Sequence, residues 1–164
     1  MFSLFHTKKY HEGSSRGFSL VEIILTLGIL AIVSAIVLSS FSNGTDTEAL
    51  LRNTEAVAAV FAEARSLTTS AKNASNYGVH LASTGPTLFK GTSYSSGIPS
   101  NIPLLVNSRV SITDISLTGG GSDVVFDKLT GNTSQNGSFR VTLVSNSSKY
   151  KTITVYKTGL VEIQ

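Results

Sequence analysis

The sequence predicts an α+β protein: a long N-terminal helix, apolar in its first half and amphipathic in its second, packed on an antiparallel β-sheet domain. Three features support this prediction. Residues 23–38 contain no charged side chain. Apolar residues recur at helical spacing between residues 46 and 70. After residue 71, short β-type runs alternate with turn residues. The chain of 164 residues has room for one globular domain and an anchor.

Residues 1–17 form a polar leader that carries most of the charge of the chain. Lys8, Lys9 and Arg16 stand against Glu12, so the leader contributes +2 of the formal +3. A secretory signal peptide is cut after its apolar region. Here Gly17 precedes that region, so cleavage after Gly17 would remove the three cations and keep the apolar anchor. The alternative is an uncleaved anchor whose cations set its orientation.

Residues 18–41 form the predicted membrane-spanning and assembly helix. Their apolar run approaches the roughly 20 residues that a helix needs to cross a bilayer. Glu22 interrupts this run near its start. Placing an ionised acid at the bilayer centre costs at least about 2.5 kcal/mol, so Glu22 is expected to have a charged partner or a functional role. As an alternative, Glu22 complements the helix dipole at the membrane surface, which contributes about 0.3–1 kcal/mol.

Residues 42–71 are predicted to form the amphipathic second half of the helix. Asn43 and Gly44 weaken helix continuity, and a break, a bend and a segment that melts on assembly are all compatible with them. Thr45 and Glu48 have the spacing of a capping box, which predicts that the helix restarts near Asp46. The apolar stripe that should face the sheet consists of Leu50, Val57, Val60, Phe61, Ala64 and Leu67.

Residues 72–164 are predicted to form the β-rich globular domain. The segment 94–103 is expected to be a loop, because it contains two prolines and several serines. Residues 83–86 and 119–121 are predicted turns, as are Thr158 and Gly159. The predicted strands are 77–82, 87–94, 109–117, 123–126, 138–145, 149–157 and 160–163.

The composition offers no catalytic centre, and we expect neither an enzyme nor a cofactor. There is no cysteine, which excludes disulfides and thiol chemistry. His6 and His11 lie in the leader, and His80 is expected to be a structural residue of a strand. Asp114, Asp123 and Asp127 carry the oxygen ligands that hard cations prefer. They lie near predicted strand ends and turns, where solvated acids are common, so no metal site is predicted.

Residues 16–22 (Arg-Gly-Phe-Ser-Leu-Val-Glu) resemble the prepilin signature of type IV pilins and pseudopilins. The resemblance implies cleavage by prepilin peptidase between Gly17 and Phe18 and N-methylation of Phe18. It also implies that Glu22 is the acidic residue whose carboxylate pairs with the new amino group of an adjacent subunit during assembly. The expected partners are prepilin peptidase, other pilin or pseudopilin subunits, the inner-membrane assembly platform and, before assembly, membrane lipid.

The body of the chain is similar to the pseudopilin H and FimT group of minor subunits. The similarity rests on residues 62–65 (Ala-Glu-Ala-Arg), on 124–127 (Val-Val-Phe-Asp) with Gly131, and on 157–161 (Lys-Thr-Gly-Leu-Val). It implies a minor subunit of a type II secretion pseudopilus or a type IV pilus. The expected location is the inner membrane, with one span and the C-terminal domain outside the cytoplasm, and then the filament. A major pilin or adhesin is an alternative.

DNA uptake is a further alternative that the FimT resemblance suggests. Arg140, Lys149, Lys151 and Lys157 lie on neighbouring predicted strands, where they would form a modest basic patch. Such a patch would bind DNA with salt-dependent affinity. Without the leader, however, the chain has a net charge of only +1 (the total of +3 less +2), and a solvated strand face accounts for the same residues.

Overall fold

The computed structural model describes residues 17–164, except for the side chains of residues 38–43. The chain divides into two compact units between Phe41 and Ser42. Helix α1 is Leu20–Thr69, and a short 3₁₀ helix follows at Lys72–Ala74. The strands are β1 Tyr77–Ala82, β2 Gly85–Lys90, β3 Ile102–Pro103, β4 Val110–Leu117, β5 Asp123–Val125, β6 Gly137–Leu143, β7 Tyr150–Val155 and β8 Val161–Ile163.

The predicted restart of the helix near Asp46 is wrong. Residues 43 and 44 are both helical, so Thr45 does not cap a new helix. Instead, the Thr45 hydroxyl accepts a hydrogen bond from Arg109 at 3.2 Å. Glu48 forms an ion pair with Arg52, one turn later, rather than a reciprocal cap. A helix interior tolerates Gly44 at a cost of about 1 kcal/mol, which explains why the Asn-Gly pair need not end it.

The part of α1 in the second unit buries the face that the sequence predicts. Leu50, Val57, Phe61 and Ala64 are buried, and the other two residues of the stripe are partly buried against the same core. Apolar spacing does not reveal that Thr68 also lies on this face, fully buried. Its hydroxyl donates to the Ala64 carbonyl and accepts the backbone N–H of Tyr77 at 2.9 Å, which joins the helix to the start of β1.

The strands form two antiparallel sheets, which agrees with the antiparallel β-sheet domain that the sequence predicts. The first has the order β3-β2-β1-β5 and the second the order β4-β6-β7-β8. Their inward side chains share one core with α1, in which the rings of Phe61 and Phe139 stack at 5.5 Å. Alternation identifies the buried face of each strand but not its partner, so the division into two sheets is invisible at the level of sequence.

The first hairpin has a tighter turn than predicted. Only residues 83 and 84 form it, while Gly85 and Pro86 already belong to β2. Gly85 has φ +138°, and a Cβ there would lie 2.0 Å from the carbonyl oxygen of Leu104. The predicted loop 94–103 ends in β3, where Pro103 occupies an edge strand, as prolines in sheets do.

The long edge strand β4 contains a β-bulge. Thr113 pairs with Arg140 and Ser116 with Ser138, so two residues of β4, Asp114 and Ile115, oppose one residue of β6. Asp114 adopts φ +50°, a left-handed conformation that occurs in one class of β-bulge. The other three edge strands, β3, β5 and β8, are two or three residues long.

A second apolar cluster covers the face of the first sheet that points away from the core. Phe89 is buried there, with its ring over Gly78 of the neighbouring strand. Tyr94 packs edge-on against Phe89 and stacks on the imidazole of His80 at 3.9 Å. His80 Nδ1 lies 2.6 Å from the carboxylate of Asp123 on β5. These contacts fix the segment after β2 and give His80 the structural role that the sequence predicts.

Candidate functional site

The segment around the predicted cleavage point is exposed and non-helical. Gly17, Phe18 and Ser19 precede α1, and the Phe18 side chain is 80% exposed. The Ser19 carbonyl accepts the backbone N–H groups of Glu22 and Ile23 at 3.0 and 3.2 Å, so regular helix begins directly behind it. No atom of the described structure lies within 4 Å of a Cβ built on Gly17. The bond between Gly17 and Phe18 therefore lies in non-helical, exposed chain.

Glu22 is the acidic residue of the first turn of α1. Its side chain is exposed, and among residues 17–164 it makes no hydrogen bond or ion pair. A carboxylate at this position interacts favourably with the positive end of the helix dipole. It also stands four residues after Phe18, close to where an amino group would arise if the chain were cut before Phe18. The polar leader and its cations lie outside the described residues.

The following residues form an apolar helix surface that is exposed in the described part of the chain. The window Leu20–Val37 has a mean hydropathy of 2.7, and none of it is buried. At 1.5 Å per residue its 18 residues extend about 27 Å, close to the roughly 30 Å hydrocarbon core of a bilayer. By length and composition, this segment is able to cross a membrane.

The four residues of the predicted basic patch do not lie on one surface of the second unit. Arg140 donates to the Asp114 carboxylate at 3.0 Å, and its guanidinium carbon lies 4.2 Å from the ring centroid of Tyr150. In the β6–β7 register, Lys151 pairs with Val141. Val141 is adjacent to Arg140 on β6, so the side chains of these two residues point to opposite faces of the sheet. Lys151 shares the face of its partner and therefore points away from the face of Arg140. Arg140 and Lys151 therefore do not share a surface.

The other two cations of the predicted patch lie at opposite ends of β7. Lys149 precedes this strand and Lys157 follows it. Eight residues of strand-like chain separate them by about 26 Å. At this separation, Lys149 and Lys157 do not form one continuous basic surface. DNA contact by the four residues stays a prediction.

The three aspartates considered as cation ligands are apart in the structure. Asp114 binds Arg140 and Asp123 binds His80, while Asp127 lies on the exposed turn after β5. Within residues 17–164, no three His, Asp or Glu side chains gather in the way that a metal site requires.

One polar cluster at the start of the second unit was not predicted. Arg109 donates to the Asp46 carboxylate at 2.7 Å, and the Ser145 hydroxyl donates to its other oxygen at 3.0 Å. The hydrogen bond from Arg109 is the main reason that the pKa of Asp46 lies below its ordinary value of 3.8. The cluster fastens two loops of the sheets to α1. Its three residues are far apart in sequence, and no local pattern connects them.

Comparison with known proteins gives one match in sequence and two in structure. Residues 13–38 match the family described as the prokaryotic N-terminal methylation motif. The fold is similar to that of the type IV minor pilin FimU of Pseudomonas aeruginosa PAO1 in two crystal forms. One gives a TM-score of 0.54 at 12% identity, covering 73% of this chain and 91% of FimU. The other gives 0.50 at 14% identity, covering 70% and 92%.

The two similarities are of different kinds, one in sequence and one in fold. No curated protein matches the sequence. The methylation motif contains Gly17, Phe18 and Glu22 and ends within the apolar helix. The likeness to FimU concerns the fold, a helix followed by antiparallel sheets. The chain therefore carries a prokaryotic N-terminal methylation motif, and its fold is similar to that of a type IV minor pilin.

Proposed function

We propose that the chain is a minor pilin or pseudopilin subunit that prepilin peptidase processes before assembly. The observation that carries this proposal is the match to the methylation motif at residues 13–38, which includes the apolar window Leu20–Val37, in a chain whose fold is similar to that of a minor pilin. Residues 1–17 are then a leader that is removed. The apolar segment holds the subunit in the inner membrane, with the globular unit outside the cytoplasm.

The assembly step uses the charge that cleavage creates. A cut between Gly17 and Phe18 leaves an ammonium group at Phe18, near the start of α1. The Glu22 carboxylate of a neighbouring subunit neutralises this ammonium group. An unpaired charge is costly in a low-dielectric environment, so the pairing favours one register of the incoming subunit. The apolar side chains of residues 20–37 then exchange lipid for the same residues of other subunits.

The proposed role is structural rather than catalytic. The subunit presents its globular unit on a type IV pilus or on a type II secretion pseudopilus, and its partners are the assembly platform and other subunits. The minor pilin fold supports a minor subunit over a major one. Abundance tests this choice, since a major pilin would dominate filaments sheared from the cell surface.

Mass spectrometry of the mature N-terminus tests the proposal. We expect a chain that begins at Phe18 and carries one added methyl group. The variant Gly17→Leu should retain the leader, whereas Gly13→Leu, a matched change of another leader glycine, should be processed normally. An intact Met1, or cleavage behind the apolar run, would contradict the prepilin assignment.

DNA binding is the second function that the sequence suggests, and a retardation assay with residues 42–164 tests it. If the predicted patch binds DNA, the complex should weaken with salt, and Lys149→Gln with Lys157→Gln should weaken it further. Absence of binding at both low and moderate salt would dismiss this function without affecting the assembly proposal.

A further inference from the structure

We propose that the globular unit binds a small carboxylate that carries an apolar group. The site is a cavity of about 230 Å³ between the C-terminal part of α1, the 3₁₀ helix and the edge of β2. This inference does not depend on filament assembly. It rests on the lining of the cavity, which combines an apolar wall with hydrogen-bond donors that have no acceptor in the described part of the chain.

The apolar wall comes from both sides of the cavity. Leu67 of α1 is half-buried, Leu88 of β2 is buried, and Ile102 of β3 is 60% exposed. β3 pairs only with Thr87 and Leu88, so the edge of β2 is uncovered where the cavity begins. An aliphatic side chain placed here would cover Ile102 and remove further apolar surface from water.

The donors of the cavity include a buried phenol. Tyr77 is only 7% exposed, and its hydroxyl oxygen accepts a hydrogen bond from the Asn73 amide at 3.2 Å. Because the amide nitrogen is the donor in this bond, the Tyr77 hydroxyl keeps its own hydrogen for an acceptor. None of the residues 17–164 supplies that acceptor. A carboxylate oxygen, which only accepts, fits this position.

Two lysines complete the anion site. Lys72 and Lys90 line the cavity, and neither side chain makes a hydrogen bond or ion pair within residues 17–164. Glu63 also lines the cavity, and it has no ion pair with either lysine. Two cations against one carboxylate leave an excess of one positive charge. This excess matches a single carboxylate better than a doubly charged phosphate.

The backbone beside the site is strained. Ala71, Asn73 and Ala74 have φ of 49°, 55° and 49°, which is the left-handed region that non-glycine residues rarely adopt. This turn sets the positions of Lys72 and Asn73 at the cavity. Strain of this kind persists only where the surrounding structure holds it, and it is common at ligand sites.

Titration of the full-length chain in non-ionic detergent with N-acetyl-leucine tests the proposal. We expect saturable binding with a dissociation constant on the order of millimolar, given the few atoms of the probe. N-acetyl-leucinamide, which has the same shape without the charge, should bind about tenfold more weakly. Equal binding of the acid and the amide would overturn the proposal, as would the absence of saturable binding.

Variants locate the binding. Lys72→Gln and Lys90→Gln should each weaken acid binding about fivefold, and Tyr77→Phe should weaken it by a similar factor. Glu63→Gln should strengthen it, because a repelling charge is lost. Lys149→Gln, on the turn before β7, is the matched control and should have no effect. If Lys72→Gln and Lys90→Gln both bind the acid as tightly as the unaltered chain, the site is not in this cavity.

The carboxylate belongs either to a free small acid or to the C-terminal residue of a polypeptide. N-acetyl-Gly-Gly-Leu with a free carboxylate distinguishes them. Tighter binding of this peptide than of N-acetyl-leucine would support a chain terminus, and weaker binding would support a free acid. In both cases the peptide with a free carboxylate should bind more tightly than the same peptide with a C-terminal amide. Equal binding of the two peptides would contradict recognition of a carboxylate.

Discussion

Gly159 lies against the backbone of Gly131 so closely that a Cβ on Gly159 would come within 1.9 Å of the Gly131 carbonyl oxygen. Both glycines have positive φ, +75° and +68°. Arg65 of α1 closes the contact, since its Nε donates to the Thr158 carbonyl at 3.1 Å. The turn between β7 and β8 and the loop after β5 are thereby fastened to the end of the helix.

We expect Gly159→Ala to destabilise the globular unit strongly. The left-handed backbone alone costs an alanine about 1–2 kcal/mol, and the clash with the Gly131 carbonyl adds to this cost. Gly120→Ala is the matched control, because Gly120 has φ +73° with open space around its Cα. Urea unfolding should show a clearly larger loss for Gly159→Ala. Equal losses would mean that the contact with Gly131 relaxes at no cost.

We expect Leu129→Gly to stabilise the same loop. Leu129 has φ +67° and a side chain that is 77% exposed, so it bears left-handed strain and buries little. Glycine removes the strain, at some cost in unfolded-chain entropy, and the net gain should be about 0.5–1 kcal/mol. Leu129→Ala keeps the Cβ and should gain nothing. A loss of stability in Leu129→Gly would show that the leucine side chain has a packing role.

The sequence predicts the elements of this fold better than their arrangement. Strand β1 has the predicted bounds, and β4 starts one residue later than predicted, because alternating apolar residues mark a half-buried strand directly. Leu88 and Phe89 are adjacent and both apolar, so the sequence does not reveal which of them faces the core or that Tyr94 packs against Phe89. Which strands pair, and in which of two sheets, depends on contacts between distant residues.

The same limit applies to the candidate sites. Gly17, Phe18 and Glu22 are recognisable because their motif is continuous in sequence. The sequence groups Arg140 and Lys151 because their predicted strands are neighbours. The register of the β6–β7 hairpin, which depends on the geometry of its turn, puts them on opposite faces. The Asp46 cluster and the carboxylate cavity join residues from distant elements, and no sequence pattern marks them.

Acid should weaken the attachment of loops to α1 through Asp46. Arg109 lowers the pKa of Asp46 below 3.8 in the folded protein, so the carboxylate contributes stability above its unfolded pKa. That contribution is lost as the pH falls through the lowered, folded pKa. We therefore expect Asp46→Asn to be less stable than the unaltered protein at pH 6, and the difference to shrink well below pH 3.8.

Thermal unfolding of residues 42–164, followed by circular dichroism across this pH range, measures the difference. Asp127→Asn is the control for removal of an exposed carboxylate, since the Asp127 side chain has no partner among residues 17–164. If the difference between Asp46→Asn and the unaltered protein is the same at pH 6 and at pH 2.5, the ion pair with Arg109 does not stabilise the fold.

Glu22→Val should separate membrane insertion from assembly. The substitution makes the anchor wholly apolar, so membrane fractions should retain the protein, while its incorporation into filaments falls because the new amino group lacks a partner. Sheared filaments and membranes, compared by immunoblot, give the two measurements. Thr26→Val, one turn further along the same helix, is the control. Normal assembly of Glu22→Val would contradict the charge pairing, although not the processing at Gly17.

The edge strands of the two sheets limit strand-to-strand aggregation between copies of the globular unit. Three edge strands are two or three residues long, and the long one is bent by the bulge at Asp114. Short or bulged edges are poor templates for the open-ended strand addition that leads to cross-β aggregates. We therefore expect globular units held side by side at high local concentration to remain separate folded bodies.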